Sequence, residues 1–278
     1  MNSKVPSDIL TDIFKIMNSS ITSKRLFPPT DLFNESWMLR LALQYHMDGG
    51  KCLPFPIYDN SSWYSEALIP SKFLLRYRGD PLAESWTPID GVVGHFESHG
   101  DTKLGISLTR EATQLIIIEA KMFSNLSTGT KNARHFNQAS RIVACIGAMI
   151  DNSKKSLDDL KSLGFYVFAP KEMINRHHFN DKISKKKIAE EICQRVDGYK
   201  GQKGHGDLVK WYNEVMIALI ERIDIQPISW EEILLKMIEN VQEKDLLTVK
   251  RIAEFYYLCL SFNQKSKNEI QYPFKDKL

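Results

Sequence analysis

The pattern of apolar and polar positions changes twice along this chain of 278 residues. Near the amino terminus, apolar residues recur every three or four positions, which is the period of an amphipathic helix. One such segment, 8–17, follows Ser7 as a helix cap, and a second begins after Thr30 and extends to about residue 46. The segment that follows Gly49 and Gly50 is rich in Pro, Tyr and Ser, so we expect irregular structure there.

The middle of the chain favours strands. Apolar or alternating segments bounded by turn residues predict strands at 73–77, 89–96, 103–109, 114–119 and 164–169. The fourth of these, Q-L-I-I-I-E, is apolar and β-branched over nearly its whole length, as is typical of a strand buried on both faces. A long helix is expected before the last strand, because apolar residues share one helical face there (133–150).

Beyond residue 180 the helical period returns. Helices are expected at 183–195, 208–223, 230–241 and 246–262, and Ser229 with Glu232 forms a capping box for the third. This order predicts an α/β fold in which a mixed central β-sheet is flanked by helices. We place that core, with its N-terminal helices, at 1–180 and a helical C-terminal region at 181–278.

Composition narrows the class of protein. Apolar residues make up 43% of the chain and charged residues 26%, which is ordinary for a soluble globular protein. No apolar run approaches the roughly 20 residues that span a bilayer, and the start MNSKVPSDIL lacks a signal-peptide core. The four cysteines are far apart and form no C-x-x-C pair. This spacing favours a reducing compartment, so we expect a cytoplasmic protein with no membrane partner.

The positive charge is concentrated in one part of the chain. The net charge is only +3, yet residues 121–203 hold sixteen Lys and Arg against eight Asp and Glu. Such asymmetry indicates a region that faces a polyanion, while the rest of the chain gathers carboxylates. The alternative is a lysine-rich surface that is simply solvated.

Two acids at the ends of neighbouring predicted strands carry the chemistry. Asp90 begins a strand in T-P-I-D-G-V-V, and Glu119 ends the apolar run I-I-I-E-A-K. Residues two apart in a strand project to the same side, so Glu119 and Lys121 point together. If both strands belong to one sheet, the two carboxylates can approach one point beside the lysine. Hard oxygen ligands of this kind suit Mg²⁺ and the hydrolysis of phosphodiesters. The alternative is a surface Glu–Lys pair at a strand end.

Over residues 31–170 these features resemble the PD-(D/E)XK nuclease superfamily, which includes type II restriction enzymes. The likeness rests on an acid shortly after a proline at a strand start, an apolar strand that ends in E-x-K, and the helix and strand that follow. It implies a restriction endonuclease-like core with Asp90 and Glu119 as metal ligands and Lys121 as a catalytic residue. It also implies that the backbone carbonyl of Ala120 binds the metal. One residue, Ile89, separates the proline from the acid.

Two more residues match subsets of that superfamily. Glu35 stands on the first core helix, and the resemblance implies that it is a further metal ligand. A carboxylate on a largely apolar helix face is costly unless paired, so the alternatives are a glutamate at the rim or a pair with Arg40. Gln138 stands where RecB-like members carry a catalytic-site glutamine. The tyrosine that often follows it is replaced by Ile142.

The expected function is a Mg²⁺-dependent DNA endonuclease, with Mn²⁺ as an alternative metal. The C-terminal helices are candidates for forming a homodimer or for contacting a partner protein, and the sequence does not set the oligomeric state. Two other functions stay open: a non-catalytic nucleic-acid-binding or scaffold protein that retains the fold, and a nuclease directed at RNA. The motif chemistry does not distinguish the sugar of the substrate. His177 and His178, with no nearby cysteine or third histidine, do not make a zinc site.

Overall fold

The computed structural model describes residues 7–22, 27–100, 104–129 and 132–263, and in these ranges the chain forms a seven-stranded mixed sheet with helices on both faces. The strands are β1 (Ser62–Ile69), β2 (Thr87–Gly94), β3 (Phe96–His99), β4 (Gly105–Leu108), β5 (Gln114–Ala120), β6 (Ser162–Ala169) and β7 (Asp224–Ser229). The helices are α1 (Ser7–Thr22), α2 (Glu35–Met47), α3 (Gln138–Ser153), α4 (Lys171–Arg176), α5 (Phe179–Lys182), α6 (Lys185–Asp197), α7 (His205–Trp211), α8 (Ile217–Arg222), α9 (Trp230–Asn240) and α10 (Leu246–Asn263). This confirms the predicted α/β class with a mixed central sheet.

The strands lie in the order β3-β4-β1-β2-β5-β6-β7. β2 runs antiparallel to both of its neighbours, β1 and β5, whereas β6 and β7 continue parallel to β5. Parallel neighbours require a crossover connection, which α3 supplies between β5 and β6. The junction between the antiparallel and parallel parts of the sheet therefore falls at β5, the strand that ends in the predicted E-x-K motif.

Two apolar cores lie on opposite faces of the sheet. Helices α3, α6, α7 and α8 cover one face, and α2, α9 and α10 cover the other. The side chains of β5 alternate between them, with Ile117 in the first core and Ile116 and Ile118 in the second. Burial on both faces explains why this segment is an unbroken apolar run.

The predicted strand at 73–77 is wrong. Its first residue, Phe73, is buried in the core, but Leu75 and Tyr77 are exposed, and the segment makes only an isolated bridge between Leu74 and Glu84. The strand β1, by contrast, falls in and after the stretch that was expected to be irregular. Its burial is partial along most of its length, so its apolar residues do not alternate cleanly.

The expectation of a wholly helical region after residue 180 is also corrected. β7 pairs in parallel with β6 and extends the central sheet. β7 contains Pro227 but is an edge strand, where a residue without an N–H is tolerated because one side of the strand needs no partner. The capping box of Ser229 and Glu232 at the start of α9 is confirmed.

Two helix starts differ from the sequence-based expectation. The N-cap of α2 is Asn34, whose side chain accepts from the Trp37 N–H at 3.1 Å, and Thr30 lies in a short 3₁₀ turn instead. α3 begins at Gln138, because Asn137 caps it and the preceding residues form a loop. In the part of the chain that the structure describes, no helix is both long enough and apolar enough to cross a bilayer.

Gly94 offers a test of how β2 and β5 pair. Its φ is +140°, and an added Cβ would lie 2.1 Å from the backbone oxygen of Gln114 on β5. We predict that Gly94→Ala lowers the free energy of unfolding by at least about 2 kcal/mol, since backbone strain and an overpacked contact add. Gly79→Ala is the control, because Gly79 also has positive φ (+82°) but open space around it. If urea denaturation shows that both variants lose the same free energy of unfolding, this account of the pairing is contradicted.

Candidate active site

Asp90 and Glu119 lie just past the point where the pairing of β2 and β5 ends. The backbone ladder stops at Gly91 and Ile118, and the two acids are the next residues along the two strands. Residues two apart in a strand project to the same face, and Val92 and Ile117 both lie in the first core. Their carboxyl groups are within hydrogen-bonding reach of each other. The two acids that the sequence singled out therefore meet on one face, the face that α3 covers.

The third residue, Lys121, follows directly after β5. Its ammonium group pairs with the Glu119 carboxylate, and the side chains are only 12% and 2% exposed. The backbone of Lys121 is held on both sides: its N–H donates to the Phe168 carbonyl at 2.7 Å, and its carbonyl accepts from the Trp230 indole N–H at 3.0 Å. Trp230 is fully buried at the start of α9. No sequence motif marked it as part of the site.

Ala120 lies between the two motif residues and is fully buried. Its N–H donates to Asp90 Oδ2 at 2.7 Å, which ties the first acid to the backbone of the E-x-K strand. This bond fixes the position of one carboxylate oxygen of Asp90, Oδ2. Metal binding by the Ala120 carbonyl oxygen stays a prediction.

Gln138 contacts the site directly. Its Nε2 donates to Glu119 Oε1 at 2.5 Å, and its Oε1 accepts from the Ser127 N–H at 3.3 Å. The Gln138 N–H in turn donates to the Ser127 carbonyl at 3.0 Å. Gln138 thus joins the carboxylate to the loop between β5 and α3. The structure brings it to Glu119, and its catalytic role stays a prediction.

A buried glutamate that the sequence did not reveal sets the start of α3. Glu191, on α6, accepts from the Asn137 N–H and from the Ser140 hydroxyl, each at 2.9 Å. The Asn137 side chain caps the helix by accepting from the Ser140 N–H. Because Gln138 is the first residue of α3, these bonds orient the side chain that reaches Glu119. A single sequence gives no signal that would have identified Glu191.

Glu35 is the first residue of α2 and is partly buried. Its negative charge acts on Lys121, where it contributes to raising the pKa of the lysine. The alternative pairing with Arg40 is not what the structure shows, because Arg40 bonds Ser65 at 2.8 Å and pairs with Glu66 at 3.7 Å. Glu35 therefore belongs to the electrostatic surroundings of the lysine.

Burial dominates the protonation of this cluster. It raises the pKa of Asp90 above its ordinary value, against the opposing effects of Lys121 and the Ala120 N–H. It also raises the pKa of Glu119, and the adjacent negative charge of Asp90 raises it further. For Lys121, burial lowers the pKa, but the two carboxylates outweigh it, so the net shift is upward. Lys121 is therefore held as an ammonium ion, while the acids resist being charged together.

The donor set is compatible with a hard divalent cation. Two adjacent carboxylates and the carbonyl of the residue between Glu119 and Lys121 are oxygen donors of the kind that Mg²⁺ and Mn²⁺ prefer. A cation would also remove the cost of charging both acids in a buried place. Across the described ranges no group of three or more His, Cys, Asp and Glu side chains could hold a metal ion. Glu35 does not form such a group with Asp90 and Glu119.

Comparison with known proteins identifies no relative of this chain. No protein-family model matches this chain, and neither a curated protein nor a solved structure is detectably similar to it. The chemistry of Asp90, Glu119 and Lys121 is therefore judged from their own geometry.

The crowding of like charge predicts an unusual dependence of stability on pH. Because the folded-state pKa of Asp90 is raised, the wild type gains stability at low pH and loses it as the pH rises through that pKa. Asp90→Asn keeps an acceptor for Ala120 and removes the charge. Without metal, we predict that this variant is more stable than the wild type by about 1 kcal/mol at pH 8. A difference of this size should shrink only below about pH 5, toward the ordinary aspartate pKa of about 3.9, as thermal unfolding between about pH 8 and pH 4 will show.

Glu97→Gln on β3 is the control, because the Glu97 side chain is exposed and its loss should change stability by no more than about 0.5 kcal/mol at any pH. An Asp90→Asn protein that is less stable than the wild type at pH 8, or a difference that is constant with pH, would contradict the account.

Proposed function

We propose that this chain is a Mg²⁺-dependent nuclease that hydrolyses phosphodiester bonds of DNA. The observation that carries the proposal is the meeting of Asp90, Glu119 and Lys121 on one face of the sheet, with Lys121 paired to Glu119. Support comes from the order of elements around them: β2 and β5 are followed by α3 and the parallel strand β6. That order agrees with a restriction endonuclease-like core.

The residues that would hold the metal are Asp90, Glu119 and the carbonyl of Ala120. A divalent ion bound there would supply stabilisation of charge on the phosphoryl oxygens and activation of water. The donors are preorganised, since Asp90 is tied to the Ala120 N–H and Glu119 to Gln138 and Lys121. Fixed donors of this kind stabilise a transition state without reorganising during the reaction.

Lys121 serves as a donor of positive charge and hydrogen bonds. Its raised pKa keeps it protonated at neutral pH, and its ammonium group lies against Glu119. In this form it orients the attacking water and offsets negative charge on the phosphate. Glu35 contributes by holding the lysine in its charged state. Gln138 is a positioning residue that fixes the Glu119 carboxylate, with a loop contact to Ser127.

A nucleic acid is the proposed substrate because the positive charge of the chain is concentrated between residues 121 and 203, and DNA is the class that the resemblance to restriction enzymes implies. This range contains the loop, α3 and α6, which lie on the same face as the acids. Phosphate contacts made by lysine and arginine supply most of the sequence-independent affinity for nucleic acid. The location in the cytoplasm and a homodimer remain predictions.

Cleavage of supercoiled plasmid in Mg²⁺ or Mn²⁺ tests the proposal. We expect the wild type to nick or linearise the plasmid and to lose this activity in chelator. Lys121→Met should reduce the rate at least about 100-fold, which is the scale of removing one electrostatic donor from a reaction centre. Asp90→Asn should do the same, because it removes a metal ligand.

Lys155→Met is a matched control for Lys121→Met. Lys155 is buried to the same degree, with 11% exposure against 12%, and also pairs with an acid, Asp159. The Lys155→Met protein should cleave the plasmid at the wild-type rate. If the folded Asp90 and Lys121 variants also cut at the wild-type rate, the proposed site is wrong. Retained DNA affinity with no turnover in either metal would favour the non-catalytic binding protein.

A further inference from the structure

A basic cavity adjoins the candidate active site. It has a volume of about 350 Å³ and lies between the loop after β5 and helix α6. Its lining includes the side chains of Ser127, Thr128, Arg134, Lys182, Lys187 and Glu191. We refer to this feature as the basic pocket. The reaction proposed above does not use it.

The charge of the basic pocket is positive. Arg134, Lys182 and Lys187 bring three cations, against the single carboxylate of Glu191. That carboxylate is largely committed to the protein, because Oε2 accepts from the Asn137 N–H and the Ser140 hydroxyl, each at 2.9 Å. The Lys187 ammonium lies 3.5 Å from the other oxygen, Oε1, which is longer than a normal hydrogen bond, and the lysine side chain is half exposed. The lysine is therefore able to engage a second anion.

The other two cations are also available. Arg134 is exposed and takes part in none of the salt bridges that the described residues form. Lys182 donates to the Asn125 side-chain oxygen at 2.9 Å, which is a neutral partner. The hydroxyls of Ser127 and Thr128 add uncharged donors to the same wall. Cations and hydroxyls together are the groups that proteins use to contact the phosphates of a nucleic-acid backbone.

The basic pocket is connected to the carboxylates by one side chain. Ser127, on the pocket wall, donates its N–H to Gln138 Oε1, while Gln138 Nε2 donates to Glu119. Asn137, which also lines the pocket, is the residue directly before Gln138. A strand that places one phosphate at Asp90 and Glu119 therefore passes close to this wall with a neighbouring phosphate.

We propose that the basic pocket binds a backbone phosphate of the DNA strand that flanks the scissile phosphate, through Arg134, Lys182 and Lys187. This subsite rests on the proposed nuclease function for its orientation toward the cleaved bond. Its affinity for DNA does not depend on turnover. Binding and cleavage can therefore be measured separately.

The test is the salt dependence of duplex DNA binding by the full-length Asp90→Asn protein, followed by fluorescence anisotropy without divalent metal. The variant Arg134→Gln with Lys187→Gln removes two of the three cations. Each phosphate contact contributes about 0.9 to the slope of log K against log salt. We expect this double variant to lower the magnitude of the slope by about 2 and to weaken binding at low salt by at least tenfold.

Lys15→Gln with Lys210→Gln is the matched control. The side chains of these lysines are 72% and 70% exposed, each pairs with an acid three or four residues away, and both lie outside residues 121–203, so the same two charges are lost elsewhere. The control should keep the slope of the parent protein. A slope that is unchanged in the pocket variant, or reduced equally in the control, would overturn the subsite.

The two proposals fail in different ways. If the wild type cleaves DNA in Mg²⁺ but the pocket variant keeps its salt slope, the subsite is wrong and the nuclease function stands. If the pocket variant shows a smaller salt slope of DNA binding while the wild type never cleaves DNA, the subsite stands and the nuclease function is wrong. Thermal unfolding of both double variants confirms that the exposed substitutions leave the fold intact.

Discussion

Two carboxylates held next to each other on two central strands of the sheet are the constraint from which the rest of the site follows. Asp90 and Glu119 are within hydrogen-bonding reach, and Glu119 is only 2% exposed. Such a pair is unfavourable when both groups are charged, because burial and like charge act in the same direction. The surroundings offset part of this cost through the Lys121 ammonium, the Ala120 N–H and the Gln138 amide. Buried groups with unfavourable charge interactions are typical of functional sites, where the arrangement needed for activity lowers the stability of the fold.

The fold supplies the rigidity that the arrangement needs. Both acids lie one residue beyond the four-pair ladder that joins β2 and β5, so their relative position is set by the register of these strands. Lys121 has left the strand, yet its backbone is held by Phe168 on β6 and by Trp230 on α9. The second core, built from α2, α9 and α10, therefore supports the site from the face opposite to α3.

Much of the site could be predicted from the sequence because its signals are local. The apolar run before Glu119 marks a central strand, and the i, i+2 spacing places Lys121 with it. The residues that the sequence missed act over long range: Trp230 and Glu191 reach the site only through the folded chain. The same distinction explains the errors in the fold. β7 was missed because its six residues lie between two predicted helices, at 208–223 and 230–241, and only the pairing with β6 in the folded chain makes them a strand.

The central claim, that the Asp90 and Glu119 carboxylates together form a cation site, is tested most directly by titration calorimetry of Mn²⁺ into the protein without nucleic acid. We expect one ion to bind per chain, binding to weaken as the pH is lowered because protons compete for the same oxygens, and Glu119→Gln to abolish it. Unchanged binding in the Glu119→Gln protein would contradict the account, because the ion would then have to be held by other residues.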